Sequence, residues 1–127
     1  MTTEVKGLAL LLWSATPERP EQCVTPFVHA LAALALDAEV EIHFAGPAVR
    51  LLVQGVADEL YPTPAREKSI AAFMAEARAA GAALYACSMA RAGFVAEGES
   101  LIPEARAAGA TAFVARSLDP SWRTLVF

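Results

Sequence analysis

Two residues of this 127-residue chain can act as soft nucleophiles, Cys23 and Cys87. They lie far apart and form no CxxC pair, which argues against a thioredoxin-type dithiol and against a zinc knuckle. Cys87 sits in "ALYACSMARAGF", residues 83–94, where an apolar run gives way to small, polar and basic residues. If "SMARA" opens a helix, Cys87 stands at its amino end. There, unpaired backbone N–H groups and Arg91, one turn on, would favour the thiolate, the form that attacks sulfur and carbon electrophiles. Ser14, after the first apolar run, and Ser88 are placed to shape a pocket beside it. The same position equally suits an inert thiol packed at the end of a buried strand. No base partner stands at a recognisable spacing, so the residues alone leave both readings open.

The other chemistry-bearing side chains read more plainly. His29 and His43 fall on separate elements without ligand spacing, so surface or packing roles are expected and no metal. Glu41 shares a strand face with His43 and reads as a solvated or interface residue. Trp13 is expected to serve as aromatic packing. "SATP", after the first strand, lacks the glycines of a phosphate loop, so neither nucleotide nor flavin is expected there and no cofactor is called for. Cys23 would resolve an oxidised Cys87 only if the first helix brought the two together, and no spacing supports that.

Composition sets the frame for these residues. The length suits one domain over residues 1–127, and the 56% hydrophobic content is largely alanine, which fills helices that lie close on a sheet. No uncharged stretch approaches the roughly 20 apolar residues of a membrane span. The first residues carry an acid and a base before their apolar run and no small-residue cleavage site, so a cytoplasmic location is expected. With a net charge of -4 and ten scattered basic residues, the chain lacks the concentrated basic surface that nucleic acid requires.

The elements that must position Cys87 follow from hydrophobic period and punctuation. Residues 7–13, "GLALLLW", form a continuous apolar run of strand length, as in a central strand covered on both faces. A helix is expected within 20–36, entered at Thr25 as N-cap with Pro26 in its first turn, and placing Phe27, Leu31 and Leu34 on one face. Residues 39–45, "EVEIHFA", alternate apolar with polar, so this second strand should bury one face and turn Glu41 and His43 to solvent or a partner. "GPAVRLLVQGVA" reads as a short helix opened by Pro47 and ended near Gly55, "YPTPAREKS" as a loop, and 65–80 as a helix. The heptapeptide "EARAAGA" occurs twice, at 76–82 and 104–110, each time followed by an apolar run. Its helix formers and penultimate glycine predict that Gly81 and Gly109 both stop helices, with the third strand at 82–87 and the fourth at 111–115. "RTLVF" reads as a fifth strand. The alternation predicts a three-layer α/β/α fold with a mostly parallel five-stranded sheet. In such a sheet, ligands bind beyond the carboxyl ends of the strands, where Cys87 falls.

The first strand with its Ala-rich helix "PFVHALAALAL", the "VEIHFAGPAV" strand and turn, and "YACSMARAGF" together resemble the DsrE/DsrF-like family of small α/β proteins, which includes sulfur-relay proteins. The resemblance spans most of the chain. In active members, a cysteine in the loop that Cys87 matches accepts a sulfane sulfur as a persulfide and passes it to a partner thiol; Arg91 and Gly93 follow here as that pattern suggests. The resemblance also implies a sheet order of 4-3-2-1-5, assembly as a homotrimer or homohexamer, and sulfur donor and acceptor proteins as partners. The expected function is sulfur relay on Cys87. The alternative is a non-enzymatic ligand-binding or interaction module of the same fold, in which Cys87 only packs.

Overall fold

The computed structural model describes residues 4–127. Its five strands are β1 (Gly7–Leu12), β2 (Glu39–Phe44), β3 (Ala83–Cys87), β4 (Ala105–Ala108) and β5 (Trp122–Val126), in the order β4-β3-β2-β1-β5. Every neighbouring pair is parallel. Four α-helices connect them: α1 (Val24–Ala35), α2 (Ile70–Ala79), α3 (Ser88–Phe94) and α4 (Ala110–Leu118).

Side-chain alternation divides the sheet into two unlike faces. Leu10, Leu12, Ile42, Phe44 and Leu84 point one way into the main core, where they meet Phe27 and Ala30 of α1, Ile70, Met74 and Ala77 of α2, and Ala90 of α3. A 3₁₀ helix, Gly46–Leu52, adds Val49, Leu51 and Leu52 to that core. At about 1.5–3 kcal/mol for each fully buried large aliphatic or aromatic side chain, this face carries most of the stability. The other face bears Ala9, Leu11, Glu41, His43, Tyr85 and Cys87, and of the four α-helices only α4 lies on it. Successive strands from β1 to β4 step in one direction, so right-handed crossovers put α1, α2 and α3 on one side. The step from β4 back across to β5 runs the opposite way and carries α4 to the other side.

Local signals explain the helix ends. The Ser69 hydroxyl caps α2 by accepting from the Ala72 N–H at 3.1 Å. Gly81, at a φ of 117°, closes α2 in the left-handed conformation, and Ala82 N–H reaches back to the Ala77 carbonyl. The entry of α1 differs from expectation by two residues: Cys23, not Thr25, is the N-cap, and Pro26 is buried in the first turn.

The second "EARAAGA" does not repeat the first. Its Ala105–Ala108 is edge strand β4, Gly109 is the N-cap of α4 rather than a helix stop, and the expected fourth strand at 111–115 is helix. The first copy extends a helix already begun at Ile70, whereas the second follows Pro103 and offers only five residues before its glycine, too few to hold a helix alone. Pairing with β3, Leu84 opposite Ala105 through Cys87 opposite Ala108, satisfies that backbone instead. On β2, of the two surroundings expected for Glu41 and His43, solvent or a partner, the structure supplies a partner from its own chain, α4, while Glu39 at the start of the strand is exposed.

The Trp122 side chain of β5 lies over Gly7 of β1, and a Cβ there would come within 2.6 Å of its ring. Gly7→Ala is therefore expected to lower stability by about 1–3 kcal/mol in a denaturant titration, as overpacking does. Gly93→Ala, where a Cβ meets nothing within 4 Å, should be neutral or gain up to about 1 kcal/mol. Equal effects of the two substitutions would contradict this packing.

Candidate functional site at the β3–β4 crossover

β3 feeds α3 on the core side of the sheet, while its neighbour β4 feeds α4 on the opposite side. The carboxyl ends of these two strands therefore flank a crevice, the switch point at which open α/β sheets place their ligands. Cys87 is the last residue of β3 and pairs with Ala108, the last of β4. It is half-buried and free, and it lines a cavity of about 210 Å³. Leu11, Ala45, Phe113 and Val114 make the walls largely apolar, Gly109 and Ala110 at the start of α4 leave the space open, and His43 provides a polar edge.

His43 is buried, 5% exposed, and held from three sides. Its ring stacks on Tyr85 with centroids 5.0 Å apart, and Phe113 of α4 meets it edge-on at 5.5 Å. Its Nε2 lies 3.1 Å from Glu41 Oε1. Glu41 in turn accepts from Arg116 of α4 through both oxygens, with Nε at 3.1 and 3.2 Å and Nη2 at 2.6 Å. The Arg116 guanidinium lies 3.9 Å over the Trp122 ring of β5. One connected row of side chains thus crosses from β5 through α4 and β2 to the Cys87 cavity.

Charge states along the row follow from these contacts. Burial alone would raise the Glu41 carboxyl, but the hydrogen bonds and positive charge of Arg116, with His43, more than offset it and hold Glu41 below its ordinary value. Burial pushes the His43 imidazole down, against the pull of Glu41. Because an ionised carboxylate only accepts, the neutral ring donates its proton through Nε2 and leaves Nδ1 as a lone pair.

The sequence-selected residues separate on the structure. Ser88 and Arg91 line a different depression, on the core side with Ala86 and Ala105, and the Ser88 hydroxyl points 3.5 Å from the Ala108 carbonyl. Ser14 is exposed beyond β1, and it does not line the Cys87 cavity either. Arg91 is exposed on α3, across the sheet from the sulfur. Trp13, expected in packing, is 57% exposed, with its ring lying against Gly46. Cys23 is fully buried, its Sγ 3.3 Å from the Thr16 carbonyl. Burial first, and then the Glu21 and Glu18 carboxylates, push its thiol up to about 12. Glu41, expected to be solvated or at an interface, is clamped under α4 by Arg116, and His43 faces inward onto the cavity. The alternation "EVEIHF" signalled that these two share a face; the helix that covers them was hidden by the misread repeat.

The fold and site define a parallel α/β protein with a half-exposed cysteine at its crossover crevice. Residues 9–127 match the DsrE/DsrF-like family, and the chain belongs to it. Among solved structures it is similar to the ychN protein from E. coli, with 15% identity, a TM-score of 0.68, and coverage of 97% of this chain and 100% of that one. No curated protein matches its sequence. No helix among the described residues is long and apolar enough to cross a membrane.

The row of side chains makes stability pH-dependent in a defined direction. Unfolded, His43 takes a proton near 6.5; folded, it resists one, so stability is fully present above that value and falls as the pH drops below it. Glu41, whose folded value is lowered, adds a second loss below about 4.5. Thermal melts from pH 7.5 to 3.5 should show Tm falling in both windows, and His43→Gln should flatten the upper one alone. A wild-type Tm that stays constant from pH 7 to 5 would contradict the assignment of His43 as buried and neutral.

Proposed function

We propose that Cys87 carries sulfane sulfur as a persulfide and transfers it to a partner thiol. One observation carries the reading: the thiol that opens on a cavity of about 210 Å³ stands at the crossover crevice, whereas the chain's other thiol is sealed in the core. Family membership supports it, since the resemblance spans most of the chain and its chemically specific part is the cysteine loop. In the accepting step, the Cys87 thiolate attacks the outer sulfur of a donor R–S–SH. A new S–S bond forms at Cys87, the donor S–S bond breaks, and R–S⁻ leaves to take up a proton. Sulfur changes hands with no net oxidation, so neither a second cysteine nor a cofactor is needed to hold the product. The largely apolar walls, with the polar edge at His43, shelter the bound sulfur from bulk thiols.

A cytoplasmic setting fits the two free thiols, because a reducing compartment keeps both available. Assembly as a homo-oligomer is part of the same reading. α4 alone covers the second face and has no fully buried residue, while Val114 and Leu118, one turn apart on it, are 49% and 79% exposed. Light scattering on the purified chain should return a mass near three or six times the monomer, and a monomer at micromolar concentration would overturn this part.

The central test is intact-protein and peptide mass spectrometry after incubation with a low-molecular-weight persulfide. A gain of about 32 Da, one sulfur atom, is expected on the Cys87 peptide, with Cys23 unmodified. Cys87→Ala should fold with a stability within about 1 kcal/mol of wild type and accept no sulfur. Absence of the adduct on wild type would remove the sulfur-carrier reading.

A further inference from the structure

Building on the reading of Cys87 as a working thiol, we propose that His43 is the proton acceptor for Cys87 across their shared cavity, with Glu41 and Arg116 as its positioning residues. Three observations carry this. Cys87 and Tyr85 alternate onto the same sheet face, Tyr85 lies opposite His43 in the β2–β3 register, and both Cys87 and His43 line the cavity. The Glu41 carboxylate takes the Nε2 proton and fixes the tautomer whose Nδ1 is free, and no described residue bonds that nitrogen. Arg116 grips Glu41 through both oxygens, so the carboxylate cannot swing away. A cavity of about 210 Å³ also has room for water, so the proton can cross through one bridging molecule as in other acid–base sites.

The step balances. The Cys87 S–H bond breaks, its electron pair stays on sulfur, and the proton moves to His43 Nδ1. The thiolate then attacks the donor's outer sulfur, and the imidazolium returns the proton to the leaving R–S⁻. Glu41 stabilises the transient imidazolium and Arg116 opposes it, so the pair sets how readily the ring accepts. The titratable groups facing His43 are Glu41 on β2, Tyr85 and Cys87 on β3, and Arg116 from α4; Arg106 on β4 stands beside Tyr85 in register.

The test follows the rate of Cys87 modification against pH, using iodoacetamide and a low-molecular-weight persulfide in parallel on the full chain, with the Cys87 peptide quantified by mass spectrometry. In wild type, the alkylation rate should change by less than about threefold between pH 6.5 and 8, because His43 supplies the base. His43→Asn should instead follow roughly tenfold per pH unit, as an unassisted thiol does, and fall at least about tenfold at pH 6.5. The two curves should converge above about pH 9.5, where thiolate forms unaided; a purely structural defect would lower the whole curve. Glu41→Gln should shift the inflection without abolishing it. Nitrogen NMR of wild-type His43 gives a second measurement that needs no variant to fold, and a proton on Nδ1 at pH 7 would overturn the proposal. So would identical profiles for wild type and His43→Asn; if the 32-Da adduct still forms, sulfur carriage then stands without His43. A His43-dependent alkylation profile with no sulfur adduct would retain the proton acceptor and discard the cargo.

Discussion

Parallel strands can be joined only by crossovers, and crossovers are right-handed. That rule decides where every helix of this protein lies. Three forward steps place α1, α2 and α3 against one face and build a dense apolar core there. The single backward step, from β4 to β5, sends α4 alone to the other face. The crevice at Cys87 exists because two neighbouring strands, β3 and β4, hand their chains to opposite sides. The cavity is thus a product of topology before any side chain is considered.

The second face then faces a physical difficulty of its own. A lone nine-residue helix buries too little to anchor itself by hydrophobic area, and none of its residues is fully buried. Polar and aromatic contacts supply the fastening instead: Arg116 on Glu41 and Trp122, and Phe113 on His43. Such contacts are directional, and they hold α4 at one distance from the sheet. The same fastening that secures the helix also orients the imidazole at the cavity edge, so stability and chemistry share one set of residues.

Much of this was legible in the residues, for identifiable reasons. Apolar runs of strand length mark β1, β3 and β5, the alternation of "EVEIHF" marks β2, and Gly81 after a strong helix former marks the end of α2 where its positive φ requires it. Cys87 at the end of β3 was readable because the switch from "ALYA" to "SMAR" is local. The second "EARAAGA" was not readable, since identical residues become helix or strand according to what precedes them and which edge is free to pair. That one element also decides what lies over Glu41 and His43: with 111–115 taken as strand, the residues of α4, Arg116 among them, are not available as the partner that the polar side of β2 calls for. Arg91 and Ser88, close to Cys87 in sequence, line the other side because side chains alternate across a strand while α3 departs toward the core.

The sealing of Cys23 has a consequence for how long sulfur would stay bound. Its thiol is buried on the core side and held protonated, whereas Cys87 lines the cavity under α4 with His43 and Phe113. A persulfide formed on Cys87 would meet no thiol of its own chain able to attack it, so neither hydrogen sulfide release nor closure to an internal disulfide would compete. Dwell time on the carrier would then be governed by encounter with another molecule rather than by the chain's own chemistry.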